Sequence, residues 1–91
     1  MSLRRLGHHS LIEMLGNWQQ SSSRIPLWQQ LASALRLLVL DGRLVQGTRL
    51  PGERELATGL KISRTTVSSA LSLLREQGFV HSQQGSGSRI T

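Results

Sequence analysis

The segment from Ser63 to Glu76 carries side chains suited to a negatively charged, hydrogen-bonding partner. The guanidinium group of Arg and the hydroxyl groups of Ser and Thr together offer such partners several hydrogen-bond donors. At helical spacing these side chains share one face, with Thr66 at its edge: Arg64, Thr65, Ser68, Ser69, Ser72 and Arg75. No acidic residue precedes Glu76 on this face, whereas an ordinary solvated helix face mixes Glu with Lys. This face is therefore predicted to lie against a negative surface.

Apolar residues on the same segment define the opposite face. They follow the i, i+3, i+4, i+7 series of a helix with one buried stripe: Val67, Ala70, Leu71 and Leu74. Ser63 comes just before the series, where its hydroxyl can accept an N–H of the first turn. We therefore predict a helix over about residues 64–77, with Arg64 at its tip.

A shorter helix is predicted immediately upstream. Glu53 and Glu55 suit the positive end of a helix dipole, and Gly52 is an acceptable, weak N-cap. Residues 61–63 then form a three-residue connection to the next helix. Two short helices joined in this way form a helix-turn-helix, whose second helix enters the major groove of DNA.

The residues after Gly78 have the pattern of a hairpin. Gly78 is a suitable helix stop, residues 79–83 have strand character, 84–87 form a turn and 88–91 return. A helix-turn-helix followed by a hairpin makes a winged helix.

A supporting helix is predicted from Pro26, as its first helical residue, to about Asp41, with Gly42 ending it. Its buried stripe is expected at Leu27, Leu31, Leu35 and Leu38.

The first twenty residues predict one more helix. Its apolar residues recur at helical spacing, with Ser10 as the expected cap: Leu11, Met14, Leu15 and Trp18. A polar linker follows, so the chain divides into 1–23, an N-terminal amphipathic helix and linker, and 24–91, the winged helix-turn-helix. The predicted fold is mainly α with a small β-hairpin wing, and it has three core helices plus the N-terminal extra helix. At the basic terminus, a solvated Arg4 and Arg5 are favoured over DNA contact.

Charge and composition narrow the classes of function. Ten Arg and one Lys against five acids give the 91-residue chain a net charge of +6, which favours an anionic partner over a merely basic surface. No cysteine is present, so disulfides and Cys-based zinc sites are excluded, and we expect no metal. We expect no enzyme either, because the three His are distant in sequence and no Gly-x-Ser-x-Gly elbow occurs. Without a secretory leader or a long apolar run, a cytoplasmic protein is expected.

The run LPGERELATGLKISRTTVSSALSLLREQGFVHSQQGSGSRI resembles the DNA-binding domain of the GntR family of bacterial transcription regulators. Residues 26–31, with 15–18 before them, resemble its MocR branch, in which this domain precedes an aminotransferase-like domain that holds pyridoxal phosphate. Such a domain needs several hundred residues. The resemblance therefore implies no cofactor in this chain, pyridoxal phosphate in a domain absent from it, and a chain that is a fragment.

The resemblance and the residue chemistry together give a set of DNA-binding candidates. Arg64 can bind guanine bidentately, with an ion pair to Glu53 or Glu55 as its alternative. The resemblance implies a DNA contact for Arg54, whose alternative is an ion pair with a nearby Glu. The wing tip at Gln84 and Gly85 is expected at the minor groove.

The remaining candidates lie at the turn and in the first turns of the second helix. Thr65 and Thr66 suit phosphate or a thymine methyl, and Ser63 is a cap with phosphate contact as a second role. Lys61 is a candidate phosphate partner, although the family commonly has Gly there, so either Lys61 is left-handed or the turn is built differently. Ser68 is also a DNA-binding candidate, although the family often has Arg at this position, so one expected base contact is missing.

We predict sequence-specific binding of double-stranded DNA as a homodimer on two half-sites, with dimerisation supplied by the absent domain. The alternative is a winged-helix protein-interaction module that binds an acidic protein through its basic face. That face carries few of the aromatic and Met anchors expected at a protein interface.

Overall fold

The computed structural model describes residues 8–16, 18–19, 24–83 and 87–91. Within these ranges the chain forms four helices and one two-stranded antiparallel sheet. In chain order the elements are α1 (His8–Leu15), α2 (Leu27–Leu40), α3 (Glu53–Leu60), α4 (Arg64–Glu76), β1 (Val80–Gln83) and β2 (Gly87–Ile90). The predicted winged-helix class, with three core helices and one extra N-terminal helix, is confirmed.

The core is built around the packing of α2 against α4. From α2 it receives Leu31, Ala32, Leu35 and Leu38, and from α4 it receives Val67, Ala70, Leu71 and Leu74. Each fully buried Val or Leu contributes about 1.5–3 kcal/mol relative to its exposed state. This stripe fixes the rotation of α4 about its own axis and so determines which residues point outward.

The ends of α2 differ slightly from the prediction. Pro26 is the N-cap, with ψ 149°, and Leu27 is the first helical residue. The carbonyl of Pro26 already accepts the N–H groups of Gln29 and Gln30, which is what an N-cap residue does. At the other end the N–H of Gly42, at φ +81°, bonds to Val39, closing a left-handed C-cap.

Helix α1 joins the same core through Leu11, whose side chain is completely buried. The predicted role of Ser10 is wrong, because α1 begins at His8 and Ser10 lies inside it. The helix thus extends upstream of Leu11, the first residue of its apolar series. Arg4, Arg5 and the linker residues 20–23 lie outside the described residues.

The hairpin sheet is extended by a single bridge from the loop before α3. Arg49 pairs with Arg89, the N–H of Leu50 donates to Ser88 O at 2.9 Å, and the N–H of Ile90 donates to Thr48 O at 2.9 Å. The sheet is thus two strands plus a bridge. Pro51, which has no N–H, comes directly after the bridging segment.

Candidate nucleic-acid interface

The N-terminus of α4 is fixed by a side-chain cap. Ser63 has extended backbone angles, and its Oγ accepts the N–H of Thr66 at 3.2 Å. The two hydroxyls of Ser63 and Thr66 are also hydrogen-bonded to each other at 2.8 Å. The predicted capping role of Ser63 is confirmed, and the cap holds the first turn of α4 in one conformation.

Arg64 and Thr65 project from this capped turn, and both are exposed. Within the described part of the chain, the guanidinium of Arg64 makes no ion pair or hydrogen bond. The alternative of a salt bridge to Glu53 or Glu55 is therefore not observed there. Arg64 keeps its donors available in the geometry that suits bidentate binding of guanine or phosphate.

The turn between α3 and α4 depends on an unusual conformation at Lys61. Its φ of 60° and ψ of 44° are left-handed, and no other non-glycine residue of the described ranges has a positive φ. The N–H of Ile62 reaches Ala57 O at 3.0 Å, which closes the end of α3 as a glycine cap would. Of the two possibilities for this turn, the left-handed one is correct. A left-handed residue with a side chain costs about 1–2 kcal/mol.

Helix α3 presents a second exposed surface next to this turn. Arg54, Thr58 and Lys61 follow the i, i+4, i+7 spacing of one helix face, and all three are exposed. Glu55 turns back toward its own helix start, where its Oε1 accepts the N–H of Gly52 at 3.4 Å. No ion pair of Arg54 occurs among the described residues, so its alternative role is not observed there either. Thr58 was not among the predicted site residues, although its i+4 spacing from Arg54 is visible in the sequence.

The outer face of α4 continues beyond the first turn with short hydroxyl side chains. Ser68 is half-buried and Ser72 is exposed. Further along, Nη2 of Arg75 donates to Ser72 Oγ at 3.2 Å, which draws the guanidinium back toward the N-terminal half of α4. Thr66 is half-buried and its hydroxyl is already engaged, so among the predicted residues it offers less than Thr65.

The predicted wing contacts fall partly outside the described residues. The strands are paired up to Gln83 and Gly87, whereas Gln84 and Gly85 belong to 84–86, outside the described ranges. Their roles at the minor groove stay predictions. The structure does bring Lys61, Ser63, Arg64 and Thr65 together at the α3–α4 turn, with Arg54 on the adjoining face of α3.

The fold and this arrangement can be compared with known proteins. Residues 27–90 match the family described as bacterial regulatory proteins, gntR family. The chain belongs to the GntR family. As a GntR domain, it places the helix-turn-helix at α3 and α4 and the wing at β1 and β2, all inside the matched residues.

Relatives of this GntR chain are named as transcription regulators rather than enzymes. It is 41% identical over 70 residues to the HTH-type transcriptional regulator Rv0792c of Mycobacterium tuberculosis, covering 77% of this chain and 26% of that protein. It is 32% identical over 77 residues to the HTH-type transcriptional regulator YisV of Bacillus subtilis, covering 84% of this chain and 16% of that protein. The chain thus spans about a quarter or less of the length of these two relatives.

A solved structure of a DNA complex has the same fold. The DNA-binding domain of AraR, crystallised with operator ORE1, superposes with a TM-score of 0.71 at 26% identity, over 80% of this chain and 89% of that one. Two negative findings apply to the described residues. No helix there is long and apolar enough to cross a membrane, and no group of three or more His, Cys, Asp or Glu could hold a metal ion.

Proposed function

We propose that this GntR chain is the DNA-reading domain of a bacterial transcription regulator that binds a double-stranded operator sequence-specifically. In this proposal α4 lies in the major groove and the wing lies at the minor groove. The observation that carries it is the capped tip of α4, where Arg64 and Thr65 are exposed while the opposite stripe is fully buried. The complex of the AraR domain with its operator supports the same use of the fold.

The residues divide into those that read bases and those that bind phosphate. Arg64 at the helix tip reads a guanine through O6 and N7, and Thr65 beside it contacts phosphate or a thymine methyl. Lys61 and Arg54, exposed on α3 and its turn, bind phosphates on either side without regard to sequence.

The other candidates complete this division. Ser63 and Thr66 hold the tip in place and offer secondary phosphate contacts, and Ser68 adds a hydroxyl one turn further along α4. Gln84 and Gly85 contact the minor groove.

We further propose that the domain belongs to a MocR-type regulator that acts as a cytoplasmic homodimer. YisV supports a long regulator, since the 77 matched residues make up 16% of that protein. In the proposed protein an aminotransferase-like domain supplies dimerisation and holds pyridoxal phosphate. Absorbance of bound pyridoxal phosphate and the mass of the full-length protein in solution test these points. A monomer without the cofactor would rule out the MocR assignment.

DNA binding itself is tested by fluorescence anisotropy with a random-sequence duplex of about 30 base pairs across a salt series. The chain is used once alone and once fused to a dimeric coiled coil, because a single small DNA-binding domain gives limited affinity. We expect binding that weakens with salt and that the fusion strengthens. An operator sequence is then selected from a random pool. Failure of both forms to bind at low salt would favour a protein-interaction module.

A further inference from the structure

A groove with a volume of about 400 Å³ lies between α1 and α2. Met14, Leu15 and Trp18 line one wall, and Ala34 and Leu37 are among the residues that line the other. The match to the GntR family begins at residue 27, so the first wall is built from residues outside the matched range. The matched part of the GntR fold therefore supplies only one of the two walls.

The groove lies on the side of α2 that is turned away from α4. Leu31 and Leu35 are buried in the core that α2 forms with α4. Ser33 and Leu37, which line the groove, each come two residues later. At about 3.6 residues per turn, side chains two residues apart are separated by about 200° around the helix axis. The groove and the outer face of α4 are therefore on opposite sides of the domain.

This side of α2 leaves large apolar side chains in solvent. Leu37 is 57% exposed, and Leu40, three residues further along α2, is 65% exposed. Ile25, which lines the groove just before α2 begins, is 52% exposed. Single exposed apolar residues are normal on a protein surface, whereas several that cluster at one concave surface are typical of an interaction site.

The charges at the two ends of α2 indicate what covers this surface. Asp41 lines the groove directly after the last residue of α2, and Arg24 is exposed just before the first. A second α2 lying antiparallel on the first brings Asp41 of each copy beside Arg24 of the other. A parallel arrangement would instead bring Asp41 beside Asp41. Charge complementarity therefore favours an antiparallel pair of identical copies, which is the isologous contact of a twofold dimer.

The middle of α2 suits such a contact. The helix has 14 residues, so its midpoint falls at Ser33 and Ala34, whose short side chains both line the groove. Short side chains at a crossing point permit a small distance between two helices. A twofold axis at this midpoint places Leu37 of each copy beside Gln30 of the other. Leu37 would then be removed from water in both copies.

We infer that the groove face pairs two copies of this chain back to back, with their α2 helices antiparallel. Because α4 lies on the opposite side of each domain, the two α4 helices then point away from each other. Such a pair does not read adjacent half-sites of one straight duplex. It holds two duplexes, or two distant sites of one DNA molecule, at the same time. This bridging rests on the proposed DNA-binding function, whereas the pairing itself does not.

The pairing is tested by sedimentation equilibrium of the chain without DNA over a wide range of concentrations. We expect a monomer–dimer equilibrium, and a weak one, because one pair of short helices buries less surface than a standard interface. Asp41→Arg places like charges at both ends of the pair and should lower the association constant about tenfold. Arg24→Asp should have the same effect. The double variant Arg24→Asp/Asp41→Arg should restore association, because the charges have only exchanged places.

The matched control is Glu76→Arg, which makes the same change of charge at an exposed position at the end of α4. Its association constant should equal that of the wild type. Leu37→Gln should lower the association constant more than the charge variants do, and its circular dichroism should stay native because Leu37 is largely exposed. A wild-type chain that is monomeric at every concentration, or a double variant as weak as the single ones, would overturn the inference. The groove would then belong to another segment of the regulator or to a different protein.

Bridging is tested by the retention of a labelled duplex on beads that carry an unlabelled duplex. The wild-type chain should retain the label at low salt, and Leu37→Gln, which keeps the net charge, should not. Fluorescence anisotropy should give both proteins the same affinity for a single duplex. Equal retention by both proteins would overturn the back-to-back arrangement and leave DNA binding intact. A wild-type chain that binds no single duplex would overturn the proposed function and the bridging, while sedimentation decides the pairing separately.

Discussion

The two faces of α4 differ in every respect that determines what a substitution does. On the inner face Val67 and Ala70 are 0% exposed and Leu71 is 1% exposed. On the outer face Arg64 and Thr65 are exposed, and Arg64 has no partner among the described residues. The inner face therefore determines the free energy of unfolding, and the outer face determines what the helix can bind. Variants on either face can test how well these two properties are separated.

The largest effect is expected from Leu71→Ala on the inner face. Removing a buried Leu side chain costs about 2–5 kcal/mol, against a total of about 5–15 kcal/mol for a typical domain. Urea denaturation followed by circular dichroism should show the loss. Leu37→Ala is the control, because Leu37 is 57% exposed and its truncation should change stability by about 0.5 kcal/mol or less. Similar losses in both variants would contradict the assigned burial.

The next effect is expected from Arg64→Ala on the outer face. A bidentate contact to guanine contributes about 1–3 kcal/mol of discrimination, and this should disappear at one base pair of a selected operator. Competition titrations with single-base operator variants measure it. Arg43→Ala, an exposed arginine of the loop after α2, is the control for loss of charge. A uniform loss over all operator variants would assign Arg64 to phosphate instead.

The inner face of α4 could be predicted from the sequence, because burial of a helix follows directly from its 3.6-residue period. The cap at Ser63 was equally accessible, since a hydroxyl before an apolar series has few other roles. The ends of the helices were predicted less precisely than their buried faces. Ser10 and Pro26 were each misplaced because a periodic pattern shows which residues are buried more clearly than where the backbone first becomes helical.

The bridge between Arg49 and Arg89 and the conformation of Lys61 could not be predicted from the sequence in the same way. The pairing of Arg49 with Arg89 joins residues 40 positions apart, and its register depends on the folded sheet. From the sequence, either Lys61 is left-handed or the turn is built differently. A left-handed lysine is unfavourable by itself, and here it is stabilised because it closes the end of α3. In both places tertiary structure overrides a local preference.

A smaller effect is expected from Ser63→Ala, which acts on the boundary between the two faces. Loss of the hydroxyl that accepts the N–H of Thr66 should cost about 1 kcal/mol of stability and loosen the turn that carries Arg64. The melting temperature and the affinity for DNA should therefore both fall. Ser63→Asp separates the two roles, since a carboxylate keeps the cap but repels phosphate. Compared with Ser63→Ala, this variant should restore the melting temperature but not the affinity for DNA. Ser33→Ala, at an exposed position within α2, should leave both unchanged.

The smallest effect on stability is expected at Lys61, where the backbone and the side chain have opposing consequences. Lys61→Gly removes left-handed strain of about 1–2 kcal/mol, and the greater freedom of glycine in the unfolded chain offsets about 0.4–1 kcal/mol of that gain. A net stabilisation of up to about 1.6 kcal/mol should appear as a higher melting temperature. Lys61→Ala is the matched variant, because it loses the same charge and keeps the strain.

Both Lys61 variants should bind all duplexes more weakly and lower the salt slope by about 0.9, since each loses one phosphate contact. Only the glycine variant should be more stable than wild type. If Lys61→Gly and Lys61→Ala melted at the same temperature, the left-handed conformation would carry no cost. If their salt slopes matched wild type, Lys61 would be a residue of the turn and not of the DNA interface. The expected pattern, higher stability with weaker binding from one substitution, would mean that the charge of Lys61 serves binding at the expense of the fold.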